Sequence, residues 1–177
     1  MRFGVLGPLQ VTTAGGVAVR VPEAKVRLLL AALLTHRGRT ISADRLVDAL
    51  WGDAPPADPR GALQTKVSLL RRALGAGRGL LVHRPAGYVL QVAADDVDAG
   101  RFAALVTRAR AHADAATRAD LLGRALDLWR GPAFADVADA AFLAPAVRQL
   151  DELRLVTVEE WAEARLAAAG GPGDYGA

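Results

Sequence analysis

The chain has 177 residues, 52% hydrophobic and 23% charged, with no cysteine and a formal net charge of +3. That is enough apolar sequence for a real core in one or two compact domains, and the lack of cysteine excludes disulfides, thiol catalysis and cysteine-based zinc sites. The apolar run in MRFGVLGPLQV is too short for a signal peptide, and no stretch of about 20 apolar residues spans a bilayer; a soluble, cytoplasmic protein with no membrane partner is expected.

From the N-terminus, RFGVLG, LQVTTAGG and VAVRVP alternate apolar and polar residues. Gly7-Pro8 and Gly15-Gly16 separate them, which predicts a small antiparallel meander. EAKVRLLLAALLTHRG follows Pro22, is apolar on several sides and ends with His36 and Arg37 before Gly38, predicting a buried helix with a cationic last turn. Ser42 is placed to cap the next helix, ADRLVDALWG, whose apolar face is Leu46, Val47, Leu50 and Trp51. The prolines of GDAPPADP end that helix, and Asp58 with Pro59 opens another.

This third helix, ALQTKVSLLRRALG, repeats Leu63, Val67, Leu70 and Leu74 at helical spacing, so those side chains form one stripe. Gly61, Thr65, Ser68, Leu69 and Arg72 fall on the other side. From Arg60 to Arg84 there are six basic residues and no acid, the footprint of a polyanion-binding face. Residues 1–92 hold 13 Lys or Arg against 5 acids and residues 93–177 hold 9 against 14, so the small net charge conceals a basic and an acidic half. Twenty of the 22 basic residues are arginine, which suits bidentate phosphate or guanine contacts, although a GC-rich genome produces the same bias. GAGRG then reads as a turn, and LLV, HRPAG and YVLQV as a hairpin with Arg84 near its tip.

Beyond Val92 the pattern is helical. Asp98 is expected to cap a helix running to Arg110, ADLLGRALDLWRG ends before Gly131-Pro132, and a long helix is expected from about Leu143 to Ala169. Phe102, Leu105, Leu122, Leu126, Trp129, Leu150, Leu153 and Trp161 are the expected interhelical core. The carboxylates of DDVD at 95–98 read as a solvated linker and helix cap, and GGPGDYGA as a frayed tail.

Helix, helix, helix, hairpin is the order of a winged helix. ISADRLVDALWGDAPP, ALQTKVSLLRRALG and HRPAGYVL resemble the OmpR/PhoB-type winged-helix domain of the Streptomyces antibiotic regulatory protein family. DVDAGRFAALVTRAR and LLGRALDLWRGPAFADV resemble the start of that family's bacterial transcriptional activation domain. The resemblance implies an α+β winged helix over residues 1–92, with a meander, three helices and a hairpin wing. An all-α, tetratricopeptide-like helical domain over 93–177 would follow, as an incomplete activation domain, although no 34-residue repeat is visible.

The implied function is a promoter-binding transcriptional activator of secondary-metabolite genes. Its partners would be double-stranded DNA, bound side by side on direct repeats as a homodimer, and RNA polymerase through a sigma factor or core subunit. GDAPPADP is the segment implied to face the polymerase. Residue by residue, Thr65, Ser68, Leu69 and Arg72 take the base-reading face, with Gln64, Lys66 and Arg71 on its flanks and Arg60 at its start. His83 and Arg84 take the wing, where Arg84 could reach phosphate or the minor groove. Gly61, Lys66 and Leu69 depart from the Asn, His or Tyr, and Arg usual in the family, which implies an altered site preference or lower affinity with the fold kept.

No enzyme, cofactor or metal is expected. His36, His83 and His112 are scattered, and GAGRG follows a helix and lacks the third dinucleotide glycine. The rival reading is a protein-binding helical adaptor whose winged helix no longer binds DNA; Leu69 favours it and the charge division opposes it.

Overall fold

The computed structural model describes residues 1–170, so residues 171–177 of the tail read as frayed lie outside the described part. Two short strands open the chain, β1 (Arg2–Gly4) and β2 (Gln10–Thr12), antiparallel with Phe3 opposite Val11. The expected third strand of the meander reduces to one bridge, Thr12 to Ala18, supported by Val19 N–H donating to the Val11 carbonyl at 2.8 Å. Pro22 brings no N–H to extend that ladder, and the chain turns there into a helix.

α1 (Ala24–Thr35) buries Val26, Leu29 and every residue from Leu30 to Leu34, as its all-round apolar pattern requires. Its last turn carries no basic residue, contrary to expectation: the helix stops at Thr35, one residue before His36. Thr35 Oγ1 donates to the Ala32 carbonyl at 2.9 Å, and His36 Nδ1 lies 3.1 Å from the same oxygen. These side chains occupy a carbonyl that a further turn would need, and Gly38 follows at φ +72°.

α2 (Ala43–Trp51) starts where Ser42 Oγ accepts from Arg45 N–H at 3.2 Å, and it buries Leu46, Val47 and Leu50. α3 (Pro59–Leu74) starts where Asp58 Oδ1 accepts from Gly61 N–H at 2.9 Å, with Pro59 at its first position. Gly75 ends it at φ +54°, and GAGRGL continues as a six-residue 3-10 segment rather than a simple turn. β3 (Leu81–Arg84) and β4 (Gly87–Leu90) form the hairpin, with Arg84 opposite Gly87 at the tip. Ile41 and Tyr88 exchange two 2.8 Å backbone bonds, which tie the hairpin to the entry of α2.

The remainder is helical: α4 (Asp98–Arg110), α5 (Ala115–Leu126) and the 26-residue α6 (Ala144–Ala169). α5 packs against both α4 and α6. Phe102 and Leu122 are fully buried, whereas Leu105, Leu126, Trp129, Leu150, Leu153 and Trp161 are half-buried at the margin of the core. The marginal residues include all those named on α6, which buries only Thr157 and Ala164 because one side of it alone meets α5. α5 ends at Leu126, before Trp129; Trp129 packs edge-on against Phe102.

One hydrophobic core runs through the molecule, from Phe3 and Leu33 through Leu70 and Leu90 to Phe102, Phe134 and Leu143. Against this core lies a buried carboxylate, Asp98, which corrects the reading of DDVD as a solvated linker and cap for that residue, while Asp95 stays exposed. Asp98 is 4% exposed and is the first residue of α4, while Val97 takes the cap position. Its carboxylate accepts from Val5 N–H at 2.8 Å, Leu6 N–H at 3.1 Å and its neighbour Ala99 N–H at 2.8 Å. Arg130 Nη2 donates to it at 3.2 Å, and Arg130 Nη1 donates to the Pro8 carbonyl at 3.0 Å. Backbone bonds from Arg130 to Leu6 and from Phe134 to Val5 lock the segment after β1 to the α5–α6 connection.

Candidate nucleic-acid interface

The geometry of α3 follows from its stripe. Burying Leu63, Val67, Leu70 and Leu74 leaves Arg60, Gln64, Thr65, Ser68 and Arg72 exposed. Leu69, placed on that face from sequence, is half-buried and packs against the core margin. A helical step of 100° per residue sets it about as far from the centre of the stripe as the exposed Ser68, so its partial burial comes from what packs on that part of α3 and not from the helix's own periodicity.

The polar side chains differ in how committed they already are. Gln64, Ser68 and Arg72 have no side-chain hydrogen bond among the described residues, so their donors and acceptors are available. Thr65 Oγ1 donates back to the Gly61 carbonyl at 3.0 Å, which leaves its oxygen as an acceptor. Lys66 Nζ lies 2.5 Å from Glu23 Oε2, with its side chain 21% exposed. Arg71 turns inward: Nε and Nη2 donate to the Leu81 carbonyl at 3.1 and 2.9 Å. It thereby fixes the first residue of β3 against α3, acting as the tie between helix and hairpin rather than as a free cation.

Arg60 pairs with Asp44 at 3.2 Å, but both side chains are 74% exposed, so the pair is weak and phosphate can compete for it. On the hairpin, His83 and Arg84 are exposed, and the His83 ring lies 4.9 Å from that of Tyr88. A cleft of about 310 Å³ runs between the start of α2, α3 and the hairpin tip, lined among others by Ser42, Asp44, Arg60, Gln64 and His83.

The structure thus leaves Arg60, Gln64, Ser68, Arg72, His83 and Arg84 exposed, brings Arg60, Gln64 and His83 to one cleft, and engages Lys66 and Arg71 internally. Sequence reading missed Glu23, Asp44 and the Leu81 carbonyl, which are the partners of these cations. None shares a helical turn with its partner, so no local spacing announces them.

Two family models match successive parts of the chain. Residues 20–90 match the transcriptional regulatory protein C-terminal family, and residues 97–170 match the bacterial transcriptional activator domain. The chain belongs to the Streptomyces antibiotic regulatory protein family. It is 38% identical to the transcriptional regulatory protein EmbR of Mycobacterium tuberculosis over 173 residues, covering 93% of this chain and 44% of EmbR. Over 163 residues it is 39% identical to the regulatory protein AfsR of Streptomyces coelicolor, covering 90% of this chain and 16% of AfsR. The transcriptional regulator RedD of the same species is 34% identical, with coverage of 96% and 51%. The solved structure of M. tuberculosis EmbR in complex with a low-affinity phosphopeptide superposes with a TM-score of 0.88 at 36% identity, covering 95% of this chain and 46% of that one. The chain therefore spans about half or less of the length of these members of the Streptomyces antibiotic regulatory protein family. Their winged helix and helical domain are the architecture found here, mixed α/β and mostly helical. No helix among the described residues is long and apolar enough to cross a membrane.

Proposed function

We propose that the chain is a sequence-specific DNA-binding transcriptional regulator, with residues 1–92 as the DNA-binding unit and residues 93–177 as a tetratricopeptide-like activation unit. The observation that carries this is the free outward row Gln64, Ser68 and Arg72 on a helix whose opposite stripe is buried, flanked by a hairpin tipped with Arg84. A helix about 10–12 Å wide enters the major groove, where Arg72 reads guanine or phosphate and Gln64 reads adenine. Arg84 reaches phosphate or the minor groove, and Lys66 reaches phosphate once it leaves Glu23.

In this reading two copies bind promoter direct repeats side by side, and the exposed loop between α2 and α3, residues 52–58, meets RNA polymerase to activate transcription, as of secondary-metabolite genes. The deciding test is duplex affinity over a range of salt. With Arg60, Arg72, Arg78 and Arg84 exposed, the slope of log affinity against log salt is expected at about −3 to −5 per monomer. A flat response would reject DNA binding and favour the helical adaptor.

A further inference from the structure

A second concave site lies away from the DNA-facing surface, between the end of α1 and the helices α4 and α6. It encloses about 380 Å³, within the range of small-molecule pockets. Its apolar wall is Leu34, Val97, Phe134, Leu150 and Leu153. His36, Arg37 and Arg39 line the same groove, Gln149 adds an amide, and no Asp or Glu lines it.

This charge is uncompensated. Neither Arg37 nor Arg39 has an ion pair among the described residues, although six other basic side chains do. Arg37 Nη1 is buried without an acceptor. That atom is closed off from the groove, but two guanidinium groups without an acidic partner beside an apolar wall favour an anion, which their other N–H groups can meet. The wall has no such need: it offers apolar contact only.

We propose that this groove is a binding site for a small apolar molecule carrying one anionic group, with its apolar body against Leu150 and Leu153 and its anion at Arg37 and Arg39. The elements that build it belong to both halves of the chain, so the ligand bridges them. α1 also packs on α2 and α3, and any influence of the ligand on DNA rests on the function proposed above; binding itself does not.

The test is calorimetric titration of the full chain with octanoate, with octanol and acetate as the neutral and short controls, in the absence of DNA. Octanoate is expected to bind at one saturable site, with octanol and acetate each weaker by about tenfold or more. Arg39→Gln, at an exposed position where folding is insensitive, and Arg37→Gln should each weaken octanoate by about fivefold or more. Ala103→Trp, on the exposed rim supplied by α4, should block the groove without touching either arginine. The proposal is overturned by octanol binding as tightly as octanoate, by affinity unchanged in Arg39→Gln and Ala103→Trp, or by an acidic peptide such as hexaglutamate binding where octanoate does not.

Discussion

Glu23 has φ +53° and ψ 139°, a conformation that is unfavourable for any side chain, by about 1–3 kcal/mol. Its position is held from both sides: α1 begins at the next residue, and its carboxylate is paired with Lys66 on α3. The pair sets a competition, because Lys66 must exchange a carboxylate for a phosphate if it is to contact DNA. Glu23→Gln removes one side of that exchange. Duplex affinity should then rise by about threefold to tenfold, and the salt slope should steepen by about 1 as one more phosphate is neutralised. Anisotropy titrations of wild type and variant at several salt concentrations measure both; unchanged values would show that Lys66 does not face phosphate. Arg72 is the contrasting residue. It is exposed and unpaired among the described residues, so Arg72→Ala should cost about 1–3 kcal/mol on a preferred site if it reads a base, and act evenly across sites if it touches phosphate. Site selection from a random pool separates these outcomes.

At the scale of elements, the hairpin is positioned by two independent attachments, the Arg71 guanidinium on the Leu81 carbonyl and the backbone exchange between Ile41 and Tyr88. Gly87 makes the second attachment sterically feasible. It lies at φ +136°, and a Cβ built there would stand 1.9 Å from the Ile41 carbonyl oxygen. Gly87→Ala must therefore push β4 away from the start of α2. The expected result is a lowered melting temperature together with weaker duplex binding, since Arg84 sits directly across from Gly87. Amide exchange should quicken at Ile41 and Tyr88 before it does in α3; a variant with wild-type protection there would show that the contact relaxes without cost.

At the scale of the whole molecule, the winged helix and the helical domain share a polar junction as well as a core. Asp98 accepts two backbone N–H groups from the segment after β1 and pairs with Arg130, which in turn binds Pro8. Removing the carboxylate leaves the Val5 and Leu6 donors without partners and one guanidinium uncompensated in a largely buried place. Asp98→Ala is expected to destabilise by about 2–4 kcal/mol. Because the bonds cross between the two halves, the urea transition should also broaden or split as the halves uncouple. A loss below about 0.5 kcal/mol, the scale of an ordinary surface substitution, would show that water replaces the carboxylate and that the junction is held by apolar contact alone.

The sequence alone determined the features whose signals lie within a turn of helix or across a tight hairpin. Ser42 and Asp58 cap where their side chains can reach an N–H three residues on. The stripe Leu63, Val67, Leu70 and Leu74 is buried because its spacing returns each residue to the same side. Arg84 lies at the tip because Pro85 and Ala86 separate the two strands. Tertiary structure decided the charges. The run from Arg60 to Arg84 contains no acid, yet folding brings Asp44 to Arg60 and Glu23, 43 residues distant, to Lys66, and turns Arg71 onto a carbonyl. In the same way the sequence marks Asp98 as a helix cap in a solvated linker, whereas packing buries its carboxylate against Val5, 93 residues away. Periodicity and capping are fixed by local backbone geometry, whereas the partner of a long charged side chain depends on which distant element the core brings beside it.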